Sequence, residues 1–148
     1  MKKILNFCFV IFFLSALFFL FGCISTSKTF PGKAFLSEEE KAFFKEDWKL
    51  FYGTLKGPWF SHKKVDVIAE KLLKLDNVEG REKKLTDCFP FRIMFVSSGG
   101  KKTIVWFNSR RFSFDRKRSF PHNLTDEEIE IFYLDTSRYH VKNPEINP

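Results

Sequence analysis

Cysteine, histidine and glycine are scarce in this chain. Of 148 residues, three are Cys, three are His and seven are Gly. Cys8 and Cys23 both lie in the apolar first part, which leaves Cys88 alone in the remainder. That remainder has no disulfide pair of its own, so a core must hold it together. His62, His122 and His140 show no zinc-ligand spacing, and Cys88 has no Cys or His at a ligand interval. No metal centre and no cofactor are expected. No G-x-S-x-G or H-E-x-x-H is present. Gly99-Gly100-Lys101-Lys102-Thr103 lacks the earlier glycine of a phosphate loop, because Phe95 stands there, and it reads as a hairpin turn. Cys88, before an apolar run, reads as a small core residue rather than a nucleophile. No catalytic residue is assigned. There is no internal repeat and no low-complexity stretch.

Phenylalanine, by contrast, is abundant, with 21 in the chain, and seven of them fall in residues 1–22. Met1-Lys2-Lys3 gives a short basic start. Ile4 to Phe21 follows, with Asn6 and Ser15 the clearly polar exceptions, and then Gly22-Cys23-Ile24-Ser25. A basic start, an apolar run and small residues form the layout of a secretory signal. Leu20, Gly22 and Cys23 stand in lipobox register, so the first part of the chain resembles the precursor of a bacterial lipoprotein. Phe21 is larger than the residue usual at its place.

The resemblance implies that the Cys23 thiol receives a diacylglyceryl group and that the bond before it is cut. It implies a lipid-anchored, extracytoplasmic protein at the cell membrane. Ile24 and Ser25 after the Cys favour the outer membrane in a Gram-negative host. Two or more acyl chains give stable anchoring where one gives marginal binding. Other readings of the same residues remain open. Ile4 to Gly22 is just long enough to span a bilayer as an uncleaved helix, and Cys23 could be an ordinary cysteine.

Residues 1–22 carry two Lys and no acid, so the formal charge of the remainder is +5 against +7 for the whole. This modest excess suits solubility, or attraction to an anionic membrane surface, as readily as nucleic acid. The division expected is 1–22 signal, 23–36 lipidated Cys and tether, 37–142 one domain, and 143–148 a loose tail.

Ser37 and Glu40 form a capping box, and Phe44, Trp48 and Phe51 continue it as a helical stripe towards Gly53. Val65, Ile68, Leu72 and Leu75 predict a second helix over Lys63 to Leu75. Asn77 to Thr86 reads as a loop. Phe91 to Val96 and Thr103 to Asn108 predict a hairpin, with Phe112 and Phe114 continuing it or starting a third strand. Thr125 and Glu128 form another capping box, although Ile129, Ile131 and Tyr133 also alternate as a strand would. Arg138 to Lys142 is a candidate edge strand. The fold class expected is α+β: two N-terminal helices, an antiparallel hairpin or small meander, and a C-terminal helix.

Arg110, Arg111, Arg116, Lys117 and Arg118 interleave with Phe112 and Phe114. On a strand, Arg110, Phe112, Phe114, Arg116 and Arg118 share one face. Such a stripe suits anionic lipid or glycolipid headgroups. It equally suits a solvated edge strand whose charges block pairing. Nucleic acid is not expected outside the cytoplasm, and no protein partner is implied. The function expected is a non-catalytic envelope binding or structural domain. The alternative is a small envelope hydrolase or thiol enzyme. Mass spectrometry of the native protein should show an acylated amino-terminal Cys23, and Cys23→Ser should leave unprocessed precursor.

Overall fold

The computed structural model describes residues 31–134. Cys23, the apolar start, the candidate strand at 138–142 and the tail lie outside them. The described elements are β1 (Lys33–Ala34), α1 (Glu38–Phe43), β2 (Trp48–Thr54), α2 (Lys63–Leu73), β3 (Gly80–Glu82), β4 (Phe91–Ser97), β5 (Lys102–Phe107), β6 (Arg111–Ser113), β7 (Arg118–Pro121) and α3 (Asp126–Ile129). A 3-10 turn, Glu130–Tyr133, follows α3.

The strands form one seven-stranded antiparallel sheet in the order β1-β3-β7-β6-β5-β4-β2. This overturns the expected α+β arrangement of two N-terminal helices, a hairpin and a C-terminal helix. The helices are few and short, and the sheet dominates.

The first correction lies at Trp48. The Ser37 capping box forms as expected, with both of its hydrogen bonds present. The helix nevertheless ends at Phe43, where the Trp48 indole N–H donates to the Phe43 carbonyl (2.7 Å). The chain then pairs with β4 as β2. A bulge between Trp48 and Leu50 shifts the register, so Trp48 lies opposite Ser97 while Phe51 lies opposite Phe95. Strand side chains alternate, and an extra residue resets the alternation. Trp48 and Phe51 therefore reach the same face at a spacing of three, which imitates a helical stripe.

The helix expected at Lys63 to Leu75 occupies Lys63–Leu73. Its basic opening is tolerated because His62 caps it, with Nδ1 accepting the Lys64 N–H (3.0 Å). Residues 77–86, read as a loop, contain β3. Residues 33–36, read as tether, belong to the domain, since β1 pairs with β3 and Leu36 is buried. The expected hairpin is β4–β5, and β6 and β7 extend it into a meander. Gly100 takes φ +80° in the β4–β5 turn, a left-handed conformation that favours glycine. α3 keeps its Thr125 capping box.

The core lies between one face of the sheet and the helices. Val65, Ile68, Ala69 and Leu72 supply the apolar stripe of α2. Phe91, Phe107 and Phe132 meet in a ring cluster with centroids 5.2–5.3 Å apart, and Phe43 packs edge-on against Phe95 at 4.9 Å. The opposite face carries a smaller cluster, Tyr52 and Met94 with Trp59, Val96 and Ile104. There the Arg92 guanidinium lies over the Trp59 ring at 5.5 Å.

β3 joins the sheet closely because Gly80 has no side chain. A Cβ there would come within 2.5 Å of Phe120 Cδ1 and 2.6 Å of the Ser119 carbonyl. Gly80→Ala should therefore cost about 1–3 kcal/mol or more by overpacking. Urea unfolding of the two proteins in parallel checks this.

Candidate functional site

Arg110, Phe112, Phe114, Arg116 and Arg118 do not lie along one strand, so they do not share the face expected of them. β6 spans only Arg111–Ser113, and it lies between β5 and β7 rather than at a sheet edge. Both the single basic stripe and the protected edge strand are thereby corrected. Phe112 is buried and Phe114 packs against Phe43 and Phe44.

Arg110 sits in the β5–β6 turn, where its N–H and that of Arg111 donate to Asn108 Oδ1. The Arg111 side chain folds back onto β7, bonding Ser119 Oγ (2.8 Å) and the Ser119 carbonyl (2.6 Å). Arg118 is also engaged. It bonds Asp115 Oδ2 (3.0 Å), Glu40 Oε1 (2.9 Å) and the Phe35 carbonyl (3.1 Å). Arg116 and Lys117 are exposed in the β6–β7 turn, at the end of β6 away from Arg110.

That turn is firmly built. Asp115 Oδ1 accepts the N–H groups of Lys117 (2.8 Å) and Arg118 (2.9 Å). Ser113 Oγ accepts the Arg116 N–H (2.8 Å) and donates to the Arg118 carbonyl. Arg116 has φ +60°, a conformation that costs a non-glycine residue about 1–2 kcal/mol. Burial acts to raise the Asp115 carboxyl, but the backbone N–H groups of Arg118 and Lys117 and the Arg118 guanidinium outweigh it. The pKa lies below the ordinary aspartate value.

Beside this turn stand cations that the sequence reading left out. The Lys83 N–H donates to the Lys117 carbonyl (2.7 Å), so the end of β3 abuts the β6–β7 turn. Lys84 follows and is exposed. The Lys83 ammonium lies 5.9 Å from the centre of the Phe89 ring. The run Arg81-Glu82-Lys83-Lys84 was a visible signal, but its neighbour across the sheet was not. The domain begins at this same end. Glu82 donates its N–H to the Gly32 carbonyl (2.9 Å), and Glu82 pairs with Arg118 across β7. Pro31 and Gly32 thus stand two strands from Lys117, about 10 Å at the usual strand spacing.

Cys88 is exposed, against the expectation of a core residue. Its carbonyl accepts from Asn108 Nδ2 (2.9 Å). Among the described residues no hydrogen bond joins its thiol to a histidine or an acid. His122 is held within the fold, with Nε2 against the Asn108 carbonyl (2.7 Å) and Nδ1 accepting the Leu124 N–H (3.2 Å). Burial pushes this imidazole down, while the Asn108 carbonyl pulls the other way. No group of three or more His, Cys, Asp or Glu that could hold a metal ion occurs among the described residues. No helix among them is long and apolar enough to cross a membrane.

No protein-family model matches the chain, and neither the curated proteins nor the solved structures contain a significant match.

Because the folded Asp115 pKa is depressed, its contribution to stability is present above the ordinary carboxylate range, near about pH 4. It is lost as pH falls through the folded value. Unfolding measured between pH 7 and pH 3 should show a loss of stability that shrinks in Asp115→Asn.

Proposed function

We propose that this chain is a membrane-anchored extracytoplasmic lipoprotein, tethered through Cys23. Its folded part is a non-catalytic envelope binding or structural domain, seated with its basic end on anionic phospholipid headgroups. The observation that carries this reading is the meeting of three features at one end of the sheet. The domain starts there at Pro31 and Gly32, the Arg116-Lys117 turn stands two strands away, and Lys83 and Lys84 lie between and beyond them.

Chain connectivity then supplies the rest. Residues 24–30 separate Cys23 from Pro31, a reach of at most about 26–29 Å when fully extended. A lipid on Cys23 keeps that end of the domain near the bilayer. The effective concentration of headgroups there is high, so weak contacts suffice. Each basic residue near an anionic surface contributes about 1 kcal/mol. Arg110 stands at the other end of β6 and takes no part. Arg111 and Arg118 are engaged in holding the fold and contribute less than a reading by charge alone assigns them.

The test uses the chain beginning at Ile24, which keeps every described residue and lacks the anchor. Cosedimentation with vesicles should be selective for phosphatidylglycerol over phosphatidylcholine and should weaken as salt rises. Arg116→Asn, which tolerates the left-handed φ, combined with Lys117→Gln should lower partitioning by about 30-fold at low salt. Equal, salt-insensitive binding to both vesicles would remove the headgroup reading.

A further inference from the structure

Leu85 is fully exposed, at 106% of its reference area. Single exposed aliphatic residues are ordinary and need no explanation. Leu85 differs in how it is held. Lys84 to Asp87 form a tight turn, in which the Asp87 N–H donates to the Lys84 carbonyl (3.0 Å) and the Lys84 N–H donates to Asp87 Oδ2 (2.9 Å). Arg81 clamps the Asp87 carboxylate with two parallel bonds, Nη1 to Oδ2 (2.7 Å) and Nη2 to Oδ1 (2.9 Å). Bidentate pairs of this kind fix geometry as well as energy. The fold thus spends a half-buried ion pair on a turn whose tip presents leucine to solvent.

The surroundings of that tip are cationic. Lys83 and Lys84 precede it directly, and Lys83 bonds the Lys117 backbone. The Cα of Leu85 lies within about 8 Å of that of Lys83 by chain geometry alone. An apolar tip beside lysines matches the layers of a bilayer interface. The leucine passes below the phosphates, and the long basic side chains lie along the boundary with their charges among the headgroups.

We propose that Leu85 enters the acyl boundary of an anionic phospholipid bilayer while Lys83, Lys84, Arg116 and Lys117 engage its phosphates. This rests on the membrane-anchored reading above and names its apolar contact. The charges give selectivity for anionic lipid, and the leucine gives depth.

The experiment uses the full chain, purified from membranes and reconstituted in vesicles with or without phosphatidylglycerol. In a Cys88→Ser background, an environment-sensitive fluorophore is placed by Leu85→Cys, and in a second protein by Arg110→Cys at the far end of β6. Nitroxide-bearing lipids should quench the probe at 85 by more than half in anionic vesicles and leave the probe at 110 unquenched. Unlabelled protein supplies a second readout free of the probe. Trypsin cleavage after Lys83 and Lys84 should be about tenfold slower on anionic vesicles than in Leu85→Ser, as burying one leucine implies. Leu85→Ser should fold normally, because the side chain it replaces is fully exposed.

A mass spectrum of the same sample separates the two readings. If Cys23 is acylated and residue 85 stays in water, the insertion is overturned and the anchor stands. If Cys23 is unmodified, the anchor fails, and the same Leu85→Cys and Arg110→Cys probes in the Cys88→Ser chain beginning at Ile24, which has no other cysteine, decide the insertion in added anionic vesicles. Equal quenching at 85 and 110 also overturns it.

Discussion

The fold depends on the layer of phenylalanine rings between the sheet and its helices. With Cys88 as the sole cysteine among the described residues, no disulfide joins one strand to another. Cohesion therefore comes from apolar area and ring packing. Phe60, Phe91, Phe95, Phe107, Phe112, Phe120 and Phe132 are all fully buried. Each buried ring of this size contributes about 1.5–3 kcal/mol, with more where edges meet faces. These rings come from β4, β5, β6 and β7, from the Phe60 bridge before α2 and from the 3-10 turn after α3, so none is satisfied until the sheet has assembled. The register follows from that demand. Phe91 faces Phe107 across β4 and β5, and Phe112 faces Phe120 across β6 and β7.

A second set of constraints is electrostatic and concerns which cations the fold keeps for itself. Arg118 joins the approach to α1, the first turn of α1 and the β6–β7 turn through Phe35, Glu40 and Asp115. Glu40 is buried and serves the Ser37 capping box at the same time, so the pair ties the helix start to β7. Arg81 and Asp87 do the same for the turn before β4. These bonds leave Arg116, Lys117, Lys84 and Leu85 directed to solvent from rigid turns. The division is one of labour between neighbours in sequence. Arg118 holds the fold, while Arg116 and Lys117, the two residues directly before it, face outward.

Much of the local structure was legible in the sequence, and the particular successes share a cause. The capping boxes at Ser37 and Thr125, the α2 stripe and the β4–β5 hairpin each rest on interactions within a few residues. The failures share a cause too. Trp48 and Phe51 carried a helical spacing because a bulge had reset the strand alternation, and a bulge is set by the partner strand. Gly80 to Glu82 read as loop because three polar residues pair only where β7 offers an edge. The basic run from Arg110 to Arg118 looked continuous because its reversal rests on Asp115 and Ser113 side chains closing a turn.

The sequence by itself determined the composition of the core, the helix starts, the hairpin, the charge excess and the pattern of residues 1–23 on which a lipid anchor is inferred. These follow from periodicity and from capping chemistry between near neighbours. Tertiary structure alone decided that the described residues form one seven-stranded sheet, that Cys88 faces solvent, and that of the four arginines of the basic run Arg111 and Arg118 hold the fold while Arg110 and Arg116 are exposed. It also brought Lys83 to Lys117 and both to the start of the domain. The physical reason is that strand pairing is non-local. A hydrogen bond between residues 83 and 117 leaves no trace in the spacing of either segment, and only the assembled sheet can bring the two backbones together.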